Sequence, residues 1–176
     1  MLILVTGGSA SGKSAHAERI LCSRAPGARL YLATMQPFGR TAQYRIERHR
    51  KLRAGKGFET VERTTDLAGL RLQKRYDGIL LEDLSNLLAN EIYAPEGAGD
   101  RAHEAILSGI ARLEPACETL VVVTNEVFSD GLPYDAQTIR YIETLGRLNA
   151  ALAERADAVY ESVCGILCTI REGDVR

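Results

Sequence analysis

Lys13 and Ser14 close the stretch Gly7-Gly8-Ser9-Ala10-Ser11-Gly12-Lys13-Ser14, which satisfies GxxxxGK[ST] at every fixed position. The spacing suits a phosphate. Successive backbone N–H groups can curl round an anion, and glycine at positions 7 and 12 removes Cβ atoms that would block unusual dihedrals or close approach. A helix beginning near Gly12 aims its orphan N–H donors and partial positive charge at the same anion. Lys13 then reaches the terminal phosphates of a nucleoside triphosphate, and Ser14 offers a hydroxyl to Mg²⁺. A Gly/Ser turn joining strand to helix would have similar composition. The context the motif requires is present, however, with apolar Leu2 to Val5 before the loop and helical spacing after it.

Two further groups could do chemistry. Ile79-Leu80-Leu81-Glu82-Asp83 is an apolar run ending in two acids. A carboxylate at the end of a buried strand is placed to hold Mg²⁺ or its water shell. Either acid could instead cap the helix predicted over Leu84 to Asn90. The other group is basic: Arg45, Arg48, His49, Arg50, Lys51 and Arg53 crowd one predicted helix, 41–53. A solvated face is the ordinary account of a charge run. Against it, the clustering is local in a nearly neutral chain, and a histidine stands inside it. Cationic neighbours disfavour the imidazolium and keep an imidazole nucleophilic. Both accounts stay open. His16, one turn past the phosphate loop, is either a polar helix residue or a phosphate contact.

The remaining pattern must position these groups. Apolar runs at 2–5, 29–34, 79–83 and 119–124 read as strands, with a shorter extended piece at 58–62. The 119–124 run is the most apolar and belongs in mid-sheet, with Asn125 and Glu126 emerging at the functional edge, where Glu126 could equally be a plain strand-to-loop residue. Helical spacing covers 14–24, 101–113 and 135–156, the last with Ile139, Ile142, Leu145, Leu148 and Leu152 on one face. Asp66 reads as the cap of a helix to Lys74, and residues 76–78 as a turn. Residues 35–39 and 128–134 read as loops, and 158–163 with 166–170 as a closing hairpin about Gly165. Alternation of strand and helix predicts one α/β domain, 1–176, with three layers, a mainly parallel sheet and a C-terminal antiparallel hairpin. With 176 residues, 45% of them hydrophobic, a full core is affordable to such a domain.

Charge and cysteine usage exclude other classes. A net charge of −1 gives no footprint for nucleic acid or an anionic membrane. No basic segment precedes Leu2, and the opening apolar run is too short for a signal or a membrane span. Cys22, Cys117, Cys164 and Cys168 are scattered. The close pair, Cys164 and Cys168, reads as two buried thiols on one strand face rather than a metal or redox pair. Reduced thiols and a nucleotide site place the chain in the cytoplasm.

ILVTGGSASGKSAHAE, LYLAT, RIERHRKLR, ILLEDLSNLL, VVVTNEV and LGRLNAALAERADAVYESVCGI follow one another in a familiar order. Over nearly its whole length the chain resembles the bifunctional adenosylcobinamide kinase/adenosylcobinamide-phosphate guanylyltransferase family. Very many P-loop NTPases share the phosphate loop, whereas RI-x-x-HR, TNEV and GRLN-x-x-LA in combination are specific. The resemblance implies that ATP or GTP phosphorylates the aminopropanol hydroxyl of adenosylcobinamide. GTP then guanylylates a histidine, and the GMP passes to cobinamide phosphate. In this chain the RI-x-x-HR segment is Arg45 to Arg50, so the implied catalytic histidine is His49, with Lys13 at the phosphates. The implied nucleotide contacts are Gly7 to Ser14 (Gly7, Gly8, Ser9, Ala10, Ser11, Gly12, Lys13, Ser14), then Leu32, Ala33, Thr34, Arg50, Lys51, Leu52, Arg53, Glu62 and Glu82. Ser14 and Glu82 would meet Mg²⁺. A homo-oligomer, a trimer with the corrinoid near a subunit interface, is implied too. Many relatives carry an acidic stretch where this chain has Met35 to Gly39. A monofunctional small-molecule kinase would share Gly7 to Ser14 and Glu82 but would not need His49. A non-catalytic nucleotide-binding switch would need a partner surface, of which the composition gives no sign.

Overall fold

Runs with no polar face must be covered on both sides, and here they form the interior of one sheet. The computed structural model of the chain describes residues 1–37, 39–127, 131 and 133–173, and for residues 40–42, 45, 48, 49 and 52 the backbone only. Seven strands are described: β1 (Leu2–Gly7), β2 (Arg29–Ala33), β3 (Phe58–Glu62), β4 (Tyr76–Glu82), β5 (Cys117–Val123), β6 (Ala158–Val163) and β7 (Ile166–Glu172). Their order is β3-β2-β4-β5-β1-β6-β7, so β5 occupies the centre, as its apolar run predicts. β6 and β7 pair antiparallel, and every other pairing among the described residues is parallel. The helices are α1 (Lys13–Arg24), α2 (Gly39–Arg53), α3 (Leu84–Tyr93), α4 (Ala102–Leu113) and α5 (Ala136–Arg155). No helix among the described residues is long and apolar enough to cross a membrane.

Strand alternation sorts the core into two faces. Ile3, Val5, Tyr31, Leu80, Val121 and Val123 pack with Ala17, Leu21 and Ala25 of α1 and the residue after it. Their neighbours Leu2, Leu4, Leu30, Leu32, Leu81 and Val122 pack against apolar residues of α3, α4 and α5. Three layers result. Because β1, β2, β4 and β5 are parallel, their C-terminal ends emerge along one edge, where ligands collect in such sheets.

Several expectations are corrected. Residues 76–78 are the start of β4, not a turn. Gly78 there does not break the strand; it lets α1 approach, since a Cβ would stand 2.6 Å from Leu21 Cδ1 and 2.7 Å from Ala25 Cβ. Asp66 caps a single 3-10 turn, Leu67–Gly69, and not a helix to Lys74. That turn is pressed onto α4, whose Gly109 would place a Cβ 2.4 Å from Leu67 Cβ. Cys164 is exposed in the β6–β7 turn at φ 49°, and Cys168 is half-buried on β7, so they form no buried pair. Ile139 is 45% exposed, and the buried stripe of α5 runs through Thr144, Leu145, Leu148 and Leu152. From the expected loops, Phe38, residues 128–130 and residue 132 lie outside the described residues.

The closeness of α1 and β4 generates a prediction. Gly78→Ala inserts a methyl where two side chains already meet, and should destabilise the protein by about 1–3 kcal/mol in urea unfolding. An unchanged midpoint would show that α1 can shift without loss.

Candidate nucleotide-binding site

β1 ends at Gly7, whose φ is 149° and whose Cβ would stand 2.5 Å from the Ser162 carbonyl oxygen, so no side chain fits. Gly12, at φ 96°, takes the left-handed turn that starts α1. Lys13 is 8% exposed and folds back across the loop, its Nζ donating to the Gly8 carbonyl at 3.1 Å. The β6–β7 hairpin props the loop from behind. Ser162 Oγ and the Gly165 N–H both donate to the Ser11 carbonyl, at 2.7 and 2.9 Å. His16 belongs to this prop. Arg19 can only donate to His16 Nδ1, at 2.6 Å, so Nε2 carries the proton and donates to the Gly165 carbonyl at 3.1 Å. Both ring nitrogens are thus engaged in holding α1 to the hairpin turn.

The two acids after β4 separate. Asp83 Oδ1 accepts from the Asn86 N–H at 2.8 Å and from Ser85 Oγ at 2.6 Å, so Asp83 caps α3. Glu82 turns to the loop instead: Ser14 Oγ donates to its Oε1 at 2.6 Å. Its Oε2 is buried with no hydrogen-bond partner among the described residues. Burial, and then the charge of Asp83, push the Glu82 carboxyl up to about 8. Leaving such an oxygen unsatisfied costs about 1–3 kcal/mol. A divalent cation beside Ser14 would satisfy it with the hard oxygen ligand it prefers, so the donor set fits Mg²⁺.

A cleft of about 790 Å³ runs from Ser9–Ala15 past Tyr31, Ala33 and Glu82 to Arg50, Arg53, Thr60 and Glu62. A second hollow, of about 840 Å³, opens beyond Arg50 and Arg53 over Gly55, Gly57 and Phe58. Arg53 is 8% exposed and its guanidinium carbon lies 3.5 Å from the Tyr31 ring centroid. A partly desolvated stack of this kind contributes about 1–2 kcal/mol. The Arg50–Glu62 pair, at 3.0 Å with both side chains more than 60% exposed, contributes under about 1 kcal/mol. Tyr31 therefore does more than Glu62 to fix the end of α2. Lys56, just past that end, reaches the buried Glu18 of α1 at 2.6 Å. Burial, followed by the Glu82 charge, raises the Tyr31 hydroxyl well above its ordinary range.

Most of the expected contacts come together here. Ala33 lines the cleft, whereas Leu32 is fully buried in the core. Thr34, equally buried, spends its Oγ1 on the Asp83 backbone, donating to the carbonyl at 2.7 Å and accepting from the N–H at 2.8 Å. Lys51 points to Glu47, one turn back on exposed α2. His49 and Leu52 lie on α2, and their side chains are outside the described residues. Sequence reasoning missed Tyr31, Ser85 and Asn86 as cleft residues. Tyr31 was within reach, because alternation puts it on the same face of β2 as Ala33.

A glycine-rich loop opening a helix, a lysine folded over it and a buried acid on the loop serine, all at one edge of a parallel sheet, define a P-loop nucleotide-binding protein. A KaiC-like protein of Pyrococcus horikoshii OT3 shares the fold, with TM-score 0.51 and 14% identity over 91% of this chain and 69% of that one. The cobinamide kinase / cobinamide phosphate guanyltransferase family matches residues 3–170, and the chain belongs to that family. The bifunctional adenosylcobalamin biosynthesis protein CobU of Salmonella typhimurium is 35% identical, over 94% of this chain and 97% of that protein. The bifunctional adenosylcobalamin biosynthesis protein CobP of Pseudomonas aeruginosa is 32% identical, over 93% of each.

The state of Glu82 generates a prediction for the ligand-free protein. Its carboxyl is raised from 4.5 to about 8 on folding, so the folded state binds the proton more tightly than the unfolded one. Its contribution to stability is present below pH 4.5 and is lost as pH rises through about 8. Glu82→Gln should remove that slope and leave the variant about 1–3 kcal/mol more stable than wild type at the alkaline end. Urea midpoints across the range check this; parallel curves would contradict it.

Proposed function

We propose that this chain, as one catalytic domain in the cytoplasm, phosphorylates adenosylcobinamide with ATP or GTP. It then transfers GMP from GTP, through a guanylylated His49, to give adenosyl-GDP-cobinamide in cobalamin biosynthesis or salvage. The observation that carries this reading is near full-length likeness to bifunctional enzymes in a chain whose phosphate loop, Ser14 and Glu82 converge on one cleft. The same cleft runs to Arg50, Arg53 and Glu62, at the end of the helix that carries His49.

Transfers of phosphoryl and nucleotidyl groups need positioning and charge neutralisation more than covalent help. Lys13 and the loop N–H groups bind the β- and γ-phosphates, and Ser14 with Glu82 would hold the metal. Mg²⁺ in that position supplies charge neutralisation on the phosphate oxygens. In the second reaction His49 attacks the α-phosphorus, the bond to the bridging oxygen breaks, and pyrophosphate leaves with the electron pair. The phosphoramidate splits one difficult displacement into two easier ones. Arginines beside it, presenting planar forks, suit the α-phosphate better than lysines. A corrinoid is large and flat, so a cleft shared between subunits of a homo-oligomer, a trimer, would hold it better than one small domain. Neither nucleic acid nor a membrane has a part in these reactions.

Two variants test the reading. Lys13→Ala should cut both transfers by about two to three orders of magnitude, since one site serves both. Full guanylylation by that variant would refute a shared site. His49→Ala should keep nucleotide binding and phosphoryl transfer but lose guanylyl transfer, so that cobinamide phosphate accumulates. A GMP adduct on His16 or His103, read by mass spectrometry after GTP and Mg²⁺, would overturn the assignment.

A further inference from the structure

The C-terminal end of β5 carries a chain of amides and hydroxyls that the loop, Glu82 and the basic helix do not use. Thr124 is fully buried and donates its hydroxyl to Asn149 Oδ1 on α5 at 2.7 Å. Asn149 Nδ2 donates to the Asn125 carbonyl at 3.2 Å. Asn125 Nδ2 donates to Ser85 Oγ at 2.5 Å, and Ser85 donates to Asp83 Oδ1 at 2.6 Å. Both ends fix the direction of the chain, because a peptide carbonyl and the carboxylate of a helix cap accept rather than donate. Ser85 has given its proton to Asp83 and must accept from the Asn125 NH₂ group. The amide oxygen of Asn125 is therefore turned away from Ser85.

Asn125, Ser85, Asn86 and Asp83 all line the nucleotide cleft. In the sheet, β5 lies on the other side of β4 from β2 and β3, so this wall is separated by Glu82 from the arginines at the end of α2. Among the described residues Asp83, Ser85, Asn86 and Asn125, it offers amides, a hydroxyl and a carboxylate, and no cation. A phosphate would find no countercharge on it. A hydroxyl would find an acceptor held at a fixed angle.

We propose that Asn125 binds the hydroxyl of the acceptor alcohol during phosphoryl transfer, through its amide oxygen, and that Asn149 and Ser85 are positioning residues for that amide. The inference rests on the kinase reading above. In the step it serves, the alcohol oxygen bonds to the γ-phosphorus and the bond from that phosphorus to the β–γ bridging oxygen breaks. The nucleoside diphosphate leaves with the electron pair, and the hydroxyl proton goes to solvent. Asn125 aligns the attacking oxygen and takes no proton.

The test uses the full chain with ATP, Mg²⁺ and adenosylcobinamide. Asn125→Ala should lower kcat/KM for the corrinoid by about tenfold, and leave affinity for a non-hydrolysable ATP analogue within about twofold by calorimetry. Thr124→Val, which removes the donor to Asn149, should give a smaller loss in the same direction with KM for ATP unchanged. Thr124→Ser keeps the hydroxyl and should recover most of it. If Thr124→Val does not fold, Ser85→Ala removes the other prop and is read the same way. Nucleotide affinity falling in step with turnover would assign Asn125 to the phosphates and overturn the inference. So would an unchanged kcat/KM, or Thr124→Ser as impaired as Thr124→Val. A wild type that binds ATP but is inert toward cobinamide sinks the proposed function and, with it, this acceptor. A wild type that is active and matched by Asn125→Ala sinks only the inference.

Discussion

A carboxylate that folding leaves half satisfied governs the layout of this protein. At the wall of the cleft, Glu82 has one oxygen on the Ser14 hydroxyl, and the other is buried with no hydrogen-bond partner among the described residues. An uncompensated buried acid is costly, and natural cores rarely keep one without a use. Burial favours the protonated carboxyl in the ligand-free chain, and a cation beside Ser14 would relieve the same cost. The demand sets the rest of the geometry. Glu82 must cross the end of β5 to reach the start of α1, which requires the loop, the central strand and β4 to finish level with one another.

What holds that edge level is not local to the loop. The hairpin of β6 and β7 closes on Ser11 through Ser162 and Gly165, and His16 bolts α1 to the same turn. Gly7 is fixed as glycine by a carbonyl from a strand more than a hundred and fifty positions away in sequence, at Ser162. On the other side, Thr34 clamps the backbone of Asp83 from both directions, and Asp83 starts α3. The phosphate loop is thus held between the last hairpin and the second strand. That is the preorganisation that phosphoryl chemistry needs, since a fixed cradle reorganises little when charge develops.

The basic helix belongs to the same economy of charge. Its arginines are not equivalent: Arg50 reaches an exposed glutamate across open water, while Arg53 lies over a buried tyrosine. Only the second contact is strong enough to anchor the helix end, and it does so within a few residues of His49. The cleft thus differs from side to side, with Arg50 and Arg53 towards β2 and β3 and Asp83, Ser85 and Asn125 towards β5.

The sequence by itself determined the phosphate loop, the parallel sheet with β5 at its centre, the acids after β4 and the closing hairpin. Each is local, written in glycine spacing or in apolar runs of strand length, and needs no knowledge of what lies opposite. It mistook Gly78 for a turn, because the reason for that glycine is α1, more than fifty residues earlier. It paired Cys164 with Cys168, because the even spacing holds only on a strand and Cys164 stands in the turn. Whether Glu82 or Asp83 faces the loop, whether His16 meets phosphate or the hairpin, and that Thr124, Asn149, Asn125 and Ser85 form one directed chain were decided by tertiary structure alone. Those outcomes depend on which side chains from distant elements arrive within hydrogen-bonding distance. A hydrogen bond has a partner, and the partner is a fact of packing, not of spacing.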